Sequence, residues 1–228
     1  MKDIKYAPVH LRSKIHGSSC PDSFYKVGAK YVKNIYSLIS PEIELNEKHR
    51  CALDWGCGCG RMIQHVCQLL PKCNLYGSDV DVEAVLWCKE NLSHIANFST
   101  NDPTPPLHFS DDFFDFIYGI SIFTHLTKEI ENKWLEELHR VTKPGGYVLL
   151  TTHGTVYQQY LTDNQEGFLW IPESNVKNCT AEGLPSYYGS SFHSERYVYN
   201  EWSKFFRIKE YKRTMPDCKH DFILCQKK

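Results

Sequence analysis

The chain has 228 residues, a formal net charge of -1 and 42% hydrophobic residues, enough for a full α/β core with a modest extension. That charge balance offers no electrostatic footprint for nucleic acid or an anionic membrane, and no apolar run approaches the roughly 20 residues of a spanning helix. The opening Met1-Lys2-Asp3-Ile4-Lys5 lacks the apolar stretch of a signal peptide, so a cytoplasmic protein is expected.

Phe24–Ile39 is predicted to form a helix lying against a sheet. Cys51–Asp54 reads as the first strand, buried on both faces, and Leu53-Asp54-Trp55-Gly56-Cys57-Gly58-Cys59-Gly60-Arg61 follows. Its alternating glycines let the backbone bend tightly and approach a ligand, since no Cβ stands in the way. From Arg61, Ile63, Val66, Cys67 and Leu70 recur at helical spacing until Pro71. Asn74–Gly77 is a second strand, ending at Ser78-Asp79. Asp81 is placed to cap a helix whose inner face is Ala84, Val85, Cys88 and Leu92. Ala96–Ser99 is a third strand, and the proline-rich Asp102–Pro106 segment is loop.

Phe116–Ile122 is an almost continuous apolar run, as expected of a central parallel strand. Thr127 caps a helix carrying Ile130, Trp134, Leu135, Leu138 and Val141. Lys143-Pro144-Gly145-Gly146 stops it and turns into the buried strand Tyr147–Thr152. Gly154–His193 is a long stretch rich in Gly, Pro, Asn, Ser and Tyr, with little sustained periodicity. Loops of such length usually carry function or a small structure of their own. This one leaves the carboxyl edge of the sheet, where ligands bind in open α/β folds, so it is expected to be a substrate-side insertion or lid. Ser194 then caps a helix bearing Val198, Trp202 and Phe205, and Phe206–Tyr211 with Asp221–Gln226 forms an antiparallel hairpin. The expected organisation is an N-terminal cap segment (1–45), a cofactor-binding core (46–153), the insertion (154–193) and a C-terminal helix and hairpin (194–228).

The 10 cysteines contain no C-x-x-C pair and no second pair at zinc-site distance, so reduced thiols packing as small hydrophobes are expected and no metal. The glycine loop also fails the dinucleotide pattern G-x-G-x-x-G. Counted from Gly56 its third glycine position is Arg61, and counted from Gly58 it is Ile63. Asp54 before the first glycine repels a pyrophosphate and suits a ligand with a cation or an amine.

The D-x-G-x-G-x-G run resembles the cofactor loop of class I S-adenosylmethionine-dependent methyltransferases. Tyr76-Gly77-Ser78-Asp79-Val80-Asp81, Phe114-Asp115-Phe116-Ile117-Tyr118 and Leu138–Gly146 are similar to that family's later signatures, in the right order. The resemblance implies a Rossmann-like, mostly parallel seven-stranded sheet with an antiparallel last strand, helices on both faces and the substrate-side insertion. It implies S-adenosyl-L-methionine as cofactor, held by Asp54, Gly56, Cys57, Gly58 and Gly60. Asp79 and Val80 would meet the ribose, Asn101 and Asp102 the adenine, and Ile120 and Ser121 the methionine portion. Pro105-Pro106-Leu107, Ser121–Leu126, Thr151–Gly154 and Tyr187–Ser194 resemble a bacterial subgroup acting on small molecules and natural products. Arg12 and His16-Gly17 resemble its N-terminal segment.

Methyl transfer is an in-line displacement, so the protein mainly positions the nucleophile, and an alcohol acceptor gains from a general base. His125, His153 and His193 are the candidate bases, each also readable as a packing or hydrogen-bonding residue. Tyr157, Tyr187 and Tyr188 are candidate walls for the substrate. The expected partner is a small-molecule methyl acceptor, with no nucleic acid and no membrane, and a homodimer as the candidate assembly. A catalytically silent cofactor-binding or partner-stabilising subunit of the same fold is the alternative, and a nicotinamide oxidoreductase is disfavoured by the missing third glycine.

Overall fold

The structure, a computed structural model, describes residues 4–16, 20–162, 164–172, 188–214 and 218–228, of His16 the backbone alone. It divides into two compact units, Met1–Asn101 and Asp102–Lys228.

In the first unit, α1 (Val9–His16) and α2 (Pro21–Ile39) precede β1 (Cys51–Trp55), α3 (Ile63–Leu69), β2 (Asn74–Asp79), α4 (Val82–Leu92) and β3 (Asn97–Thr100). Proline at its start suits α2, where the missing N–H has no partner to lose. Phe24, Tyr25, Tyr31, Val32, Ile35, Leu38 and Ile39 form its buried stripe. α2 packs closely at Gly28, where a Cβ would stand 2.8 Å from the Arg61 carbonyl. The Arg61 guanidinium lies over the rings of Phe24 and Tyr31, at 5.6 and 5.8 Å. Asp81 caps α4 as expected, accepting from the Glu83 and Ala84 amides, and Ala84, Val85, Cys88 and Leu92 are its buried face.

The second unit runs through β4 (Phe114–Gly119), α5 (Lys128–Val141), β5 (Thr142–Thr152), a 3-10 turn (Thr155–Leu161), β6 (Phe168–Pro172), β7 (Gly189–His193), α6 (Glu195–Glu201), β8 (Phe206–Lys212) and β9 (Asp221–Lys227). Thr127 and Ser194 cap α5 and α6 as predicted. β4 begins two residues before the predicted run and stops at Gly119. Its apolar continuation turns away because Ser121 adopts a left-handed φ of 62°, a reversal invisible to hydrophobic periodicity. β5 reaches back through Lys143–Gly146, with Gly145 at a φ of 75° and a register shift opposite Phe114/Phe116.

The strands form one seven-stranded sheet in the order β3-β2-β1-β4-β5-β9-β8, plus a two-stranded sheet of β6 and β7. β1 pairs with β2, β2 with β3 and β4 with β5 in parallel, while β9 runs antiparallel to both β5 and β8. A near-continuous apolar strand suits such a doubly covered sheet, and every residue of β4 is buried. No helix among the described residues is long and apolar enough to cross a membrane.

The stretch 154–193 carries more structure than its composition suggests. The apolar run Phe168-Leu169-Trp170-Ile171 lies in β6, which pairs with β7 from Phe168↔His193 to Pro172↔Gly189. Cys57 and Cys59 in the glycine loop and Cys88 on α4 are buried thiols outside any disulfide, in keeping with the role of small hydrophobes.

Candidate active site

Within the first unit the candidate cofactor residues gather at the carboxyl ends of β1 and β2. All three loop glycines, Gly56, Gly58 and Gly60, hold left-handed φ angles of 78°, 50° and 76°. Such angles cost an ordinary residue roughly 1–2 kcal/mol each, which explains the alternation. Space gives a second reason. A Cβ on Gly58 would stand 2.3 Å from Ile15 Cδ1, and one on Gly60 2.5 Å from Leu92 Cδ1. The loop is anchored to β2, with the Gly56 and Cys57 amides donating to the Ser78 carbonyl at 2.8 and 3.1 Å.

Asp54, the fourth residue of β1, is fully buried. Asp79 closes β2, where its carboxylate accepts from the Gly58 amide at 2.6 Å and from the Asp81 amide at 2.9 Å. Burial pushes its pKa above the usual carboxylate value, against the pull of these amides. Cys57, packed near Cys88, has its thiol pKa pushed up by that neighbour and by burial. Val80 is half-buried in the turn before α4. Asn101 is buried, its amide donates to the Asp79 carbonyl at 3.1 Å, and its side-chain oxygen accepts from Ser78 Oγ at 2.6 Å.

This donor set fits S-adenosylmethionine. A buried carboxylate at the first strand end suits an ammonium or sulfonium, and a second at the next strand end accepts from a vicinal diol. The pinched loop between them lets backbone approach the ligand. α1 adds cover to this loop. Ile15 sits against Gly58, and Lys14 Nζ bonds the Asp81 carboxylate at 2.9 Å. Arg12 is buried and donates to the Ala7 carbonyl at 2.8 Å. Gly17 lies outside the described residues.

In the second unit, Ile120 is buried after β4, and Ser121 follows in its left-handed conformation. The Ser121 amide donates to Thr151 Oγ1 at 2.8 Å, and its hydroxyl lies 3.1 Å from Thr124 Oγ1. Asp102 is exposed. A strained residue held by such bonds is a frequent mark of a functional turn.

His125 and His153 stand near one another, with ring centroids 6.4 Å apart. His125 Nδ1 donates to the Gly189 carbonyl at 2.8 Å, since a carbonyl only accepts, and this leaves Nε2 as the lone-pair nitrogen of the neutral ring. Tyr188 stacks on it at 4.2 Å. Burial lowers the His125 pKa to about 4. His153 packs 4.6 Å from Tyr157, and burial with neighbouring imidazoles lowers its pKa to about 3. Tyr187 lies outside the described residues.

His193 is elsewhere. Its side chain has no exposed surface, and Nε2 lies 2.6 Å from the equally buried Glu131, which also accepts from Trp202 Nε1 at 2.8 Å. Enclosed in that way, the ring holds α5, β7 and the following helix together and meets no solvent-borne group, so the expectation of a base at His193 is corrected on steric grounds. The spacing of His193 after the insertion carried no signal of this, because its partner stands on a distant helix.

β7 also corrects the picture of a simple lid. The Gly189 and Ser191 amides donate to the His125 and Thr124 carbonyls at 3.2 and 2.7 Å, and the His193 amide donates to the His153 carbonyl at 2.9 Å. The strand therefore laces together the two segments that carry His125 and His153. Two further residues here, His220 and Asp221, belong to no sequence motif. His220 stacks 5.3 Å from His153. Asp221 is buried and accepts from the Thr155 amide and hydroxyl at 2.8 Å, from Tyr211 at 2.9 Å and from the Thr214 amide at 2.9 Å. Gly154 is required beside it, for a Cβ there would stand 2.0 Å from the Asp221 carboxylate. Among the described residues no group of three or more metal-ligating side chains is arranged to hold an ion.

Residues 52–146 match a family described as "Methyltransferase domain". The chain is 28% identical over 142 residues to the tRNA (carboxymethyluridine(34)-5-O)-methyltransferase of Arabidopsis thaliana, a match covering 55% of this chain and 33% of that protein. The chain thus spans about a third of that relative's length. A SAM-dependent methyltransferase of Methanosarcina mazei superposes with a TM-score of 0.63 at 19% identity, over 84% of this chain and 97% of that one. One from Aquifex aeolicus does so with 0.57 at 18% identity, over 92% and 99%. The chain accordingly has the class I methyltransferase fold, its residues 52–146 match a methyltransferase domain, and that fold and match imply S-adenosyl-L-methionine as the cofactor.

Proposed function

We propose that this chain transfers a methyl group from S-adenosylmethionine to an oxygen or nitrogen of a small molecule, with a sugar or secondary metabolite favoured. The observation that carries the reading is the cluster of His125, His153, Tyr157 and Tyr188 around the ends of β4, β5 and β7, a ring-lined surface suited to a compact acceptor. The formal charge of -1 supports an acceptor other than a polyanion. Bound cofactor supplies a methyl group activated by its sulfonium. Asp54 then holds the cofactor's amino group, the loop from Gly56 to Gly60 its amino-acid portion, Asp79 with Val80 its ribose and Asn101 with Asp102 its adenine. Ile120 and Ser121 line the methionine portion. His125 Nε2 or His153 removes the proton of an alcohol acceptor, and Tyr157 and Tyr188 form its walls.

The likeness to the Arabidopsis thaliana enzyme favours a second reading, a tRNA acceptor. Incubation with methyl-labelled cofactor separates the readings: label is expected in a low-molecular-weight extract, whereas label in tRNA overturns the small-molecule proposal. Cofactor binding with label in neither pool supports the silent-subunit alternative instead.

A further inference from the structure

Two neighbouring residues of α1 clasp the two residues whose amides hold the Asp79 carboxylate. That carboxylate accepts from the Gly58 amide at 2.6 Å and from the Asp81 amide at 2.9 Å. Ile15 meets the first donor. A Cβ added to Gly58 would stand 2.3 Å from Ile15 Cδ1 and 3.2 Å from its Cγ1, so this side chain fills the space beside that glycine. Lys14 meets the second donor. Its Nζ lies 2.9 Å from the Asp81 carboxylate and 3.7 Å from that of Glu83. The other Asp81 oxygen caps α4, accepting from the Glu83 and Ala84 amides at 3.1 Å. His10, one turn before Lys14, bonds Glu83 at 2.7 Å.

The segment is fixed at both ends. Ala7, Leu11 and Ile15 recur every four residues, the spacing of one helical face, and pack into a cluster with Phe24, Cys59 and Ala84. Before the helix, the Lys5 amide donates to Gln64 Oε1 at 2.9 Å, and Gln64 Nε2 donates back to the Lys5 carbonyl at 3.1 Å. One end of the segment is therefore tied to α3 and the other to the start of α4. Exposed ion pairs such as those of Lys14 contribute little to folding, so their consequence lies in the geometry they impose on the turn around Asp79. We infer that Lys14 and Ile15 are positioning residues for the cofactor: together they hold the Gly58 and Asp81 amides on Asp79 and keep its carboxylate aimed at the ribose hydroxyls. The inference rests on reading Asp79 as the ribose carboxylate.

Charge works in the same direction. Burial raises the Asp79 pKa, and the neighbouring Asp81 carboxylate adds to that rise against the pull of the two amides. Burial also opposes ionisation of Asp81, yet its pKa falls below the usual value because Lys14 and the α4 amides favour the carboxylate. The Lys14 cation thus offsets the like charge that Asp79 faces. A site held in its binding geometry before the ligand arrives loses less on association, so the clasp is expected to show in tighter binding and slower release.

Calorimetry and stopped-flow release of S-adenosylhomocysteine from the full chain test this. Lys14→Gln is expected to weaken binding roughly two- to fivefold and to speed release in proportion, with the melting temperature of the ligand-free protein unchanged. Lys14→Arg should restore most of the loss, since it keeps a cation of similar reach, and Ile15→Ala should weaken binding as Lys14→Gln does. Lys133→Gln removes an exposed pair with Glu129 at 2.6 Å on α5 and should leave affinity as it was. The clasp acts through one carboxylate, so beside Asp79→Asn the Lys14→Gln change should add little. Full affinity in Lys14→Gln or Ile15→Ala overturns the inference. So does tighter binding, as from a helix that obstructs the site, or a Lys14→Gln loss that persists undiminished beside Asp79→Asn. Unchanged affinity in Asp79→Asn would instead sink the ribose reading, whereas a loss in Asp79→Asn with none in Lys14→Gln sinks the clasp alone.

Discussion

At the scale of single residues, Asp79 illustrates a conflict between stability and binding. Its pKa is raised by burial, so ionising it costs the folded state more than the unfolded chain, and the charge present at neutral pH weighs against folding. Asp79→Asn is expected to leave the unfolding midpoint of the ligand-free protein unchanged or higher. The same variant should weaken cofactor binding by about 1.5–3 kcal/mol, the worth of a charge-assisted hydrogen bond, as read by calorimetry. Unchanged cofactor affinity would remove Asp79 from the ribose site. Gly58→Ala should be harsher, since it combines a left-handed φ of 50° with a Cβ 2.3 Å from Ile15. A loss of at least about 1–2 kcal/mol of stability is expected in denaturant titration. The turn made by Gly56, Gly58 and Gly60 was legible in the sequence because alternating glycines mark a backbone that needs positive φ, which all three adopt. His193 was misread because residue type and position after an insertion say nothing of an enclosing Glu131 on another helix.

At the scale of elements, capping was the most legible feature. Asp81, Thr127 and Ser194 each accept from the amides their positions foretold, because a cap depends on neighbours within one helical turn. The end of β4 and the existence of β6 were less legible. One is set by the Ser121 backbone and its bond to Thr151, the other by pairing with a distant strand. The β6–β7 pair leans on Glu131, and Glu131→Ala strands both His193 Nε2 and Trp202 Nε1 in a dry interior. A loss of about 1–3 kcal/mol for each orphaned group is expected, with amide exchange quickening in β7 ahead of β4. Excision of the whole 154–193 stretch removes the bonds from Gly189, Ser191 and His193 to the neighbouring segments. It is therefore expected to unfold the second unit rather than silence turnover cleanly, and a native-like melt of such a deletion would contradict the lacing role of β7.

At the scale of the whole molecule, acid sensitivity follows from the depressed histidines. Unfolded histidines titrate near 6.5, whereas His125 and His153 stay neutral down to about 4 and about 3 in the folded chain. Below about pH 6.5 the unfolded chain binds protons the folded one refuses, so stability is present at pH 7 and is lost as pH falls toward 4. Unfolding near pH 5 should take up about two protons from these groups, seen as a falling midpoint from neutral to mildly acid buffer, and a flat midpoint over that interval would refute the assignment. The parallel sheet was anticipated from alternating strand and helix signals, while the strand order and the two-stranded β6–β7 sheet depended on pairing no local pattern reveals. β9 has a consequence for how the chain matures. It is the final strand in sequence yet occupies an interior place, between β5 and β8. On a ribosome, β4 and β5 can pair as they emerge, but β8 has no sheet to join until residues 221–227 have been synthesised and inserted beside it. Until then the apolar flank of β5 stands open, so nascent chains stalled before residue 221 should be the ones that recruit chaperones.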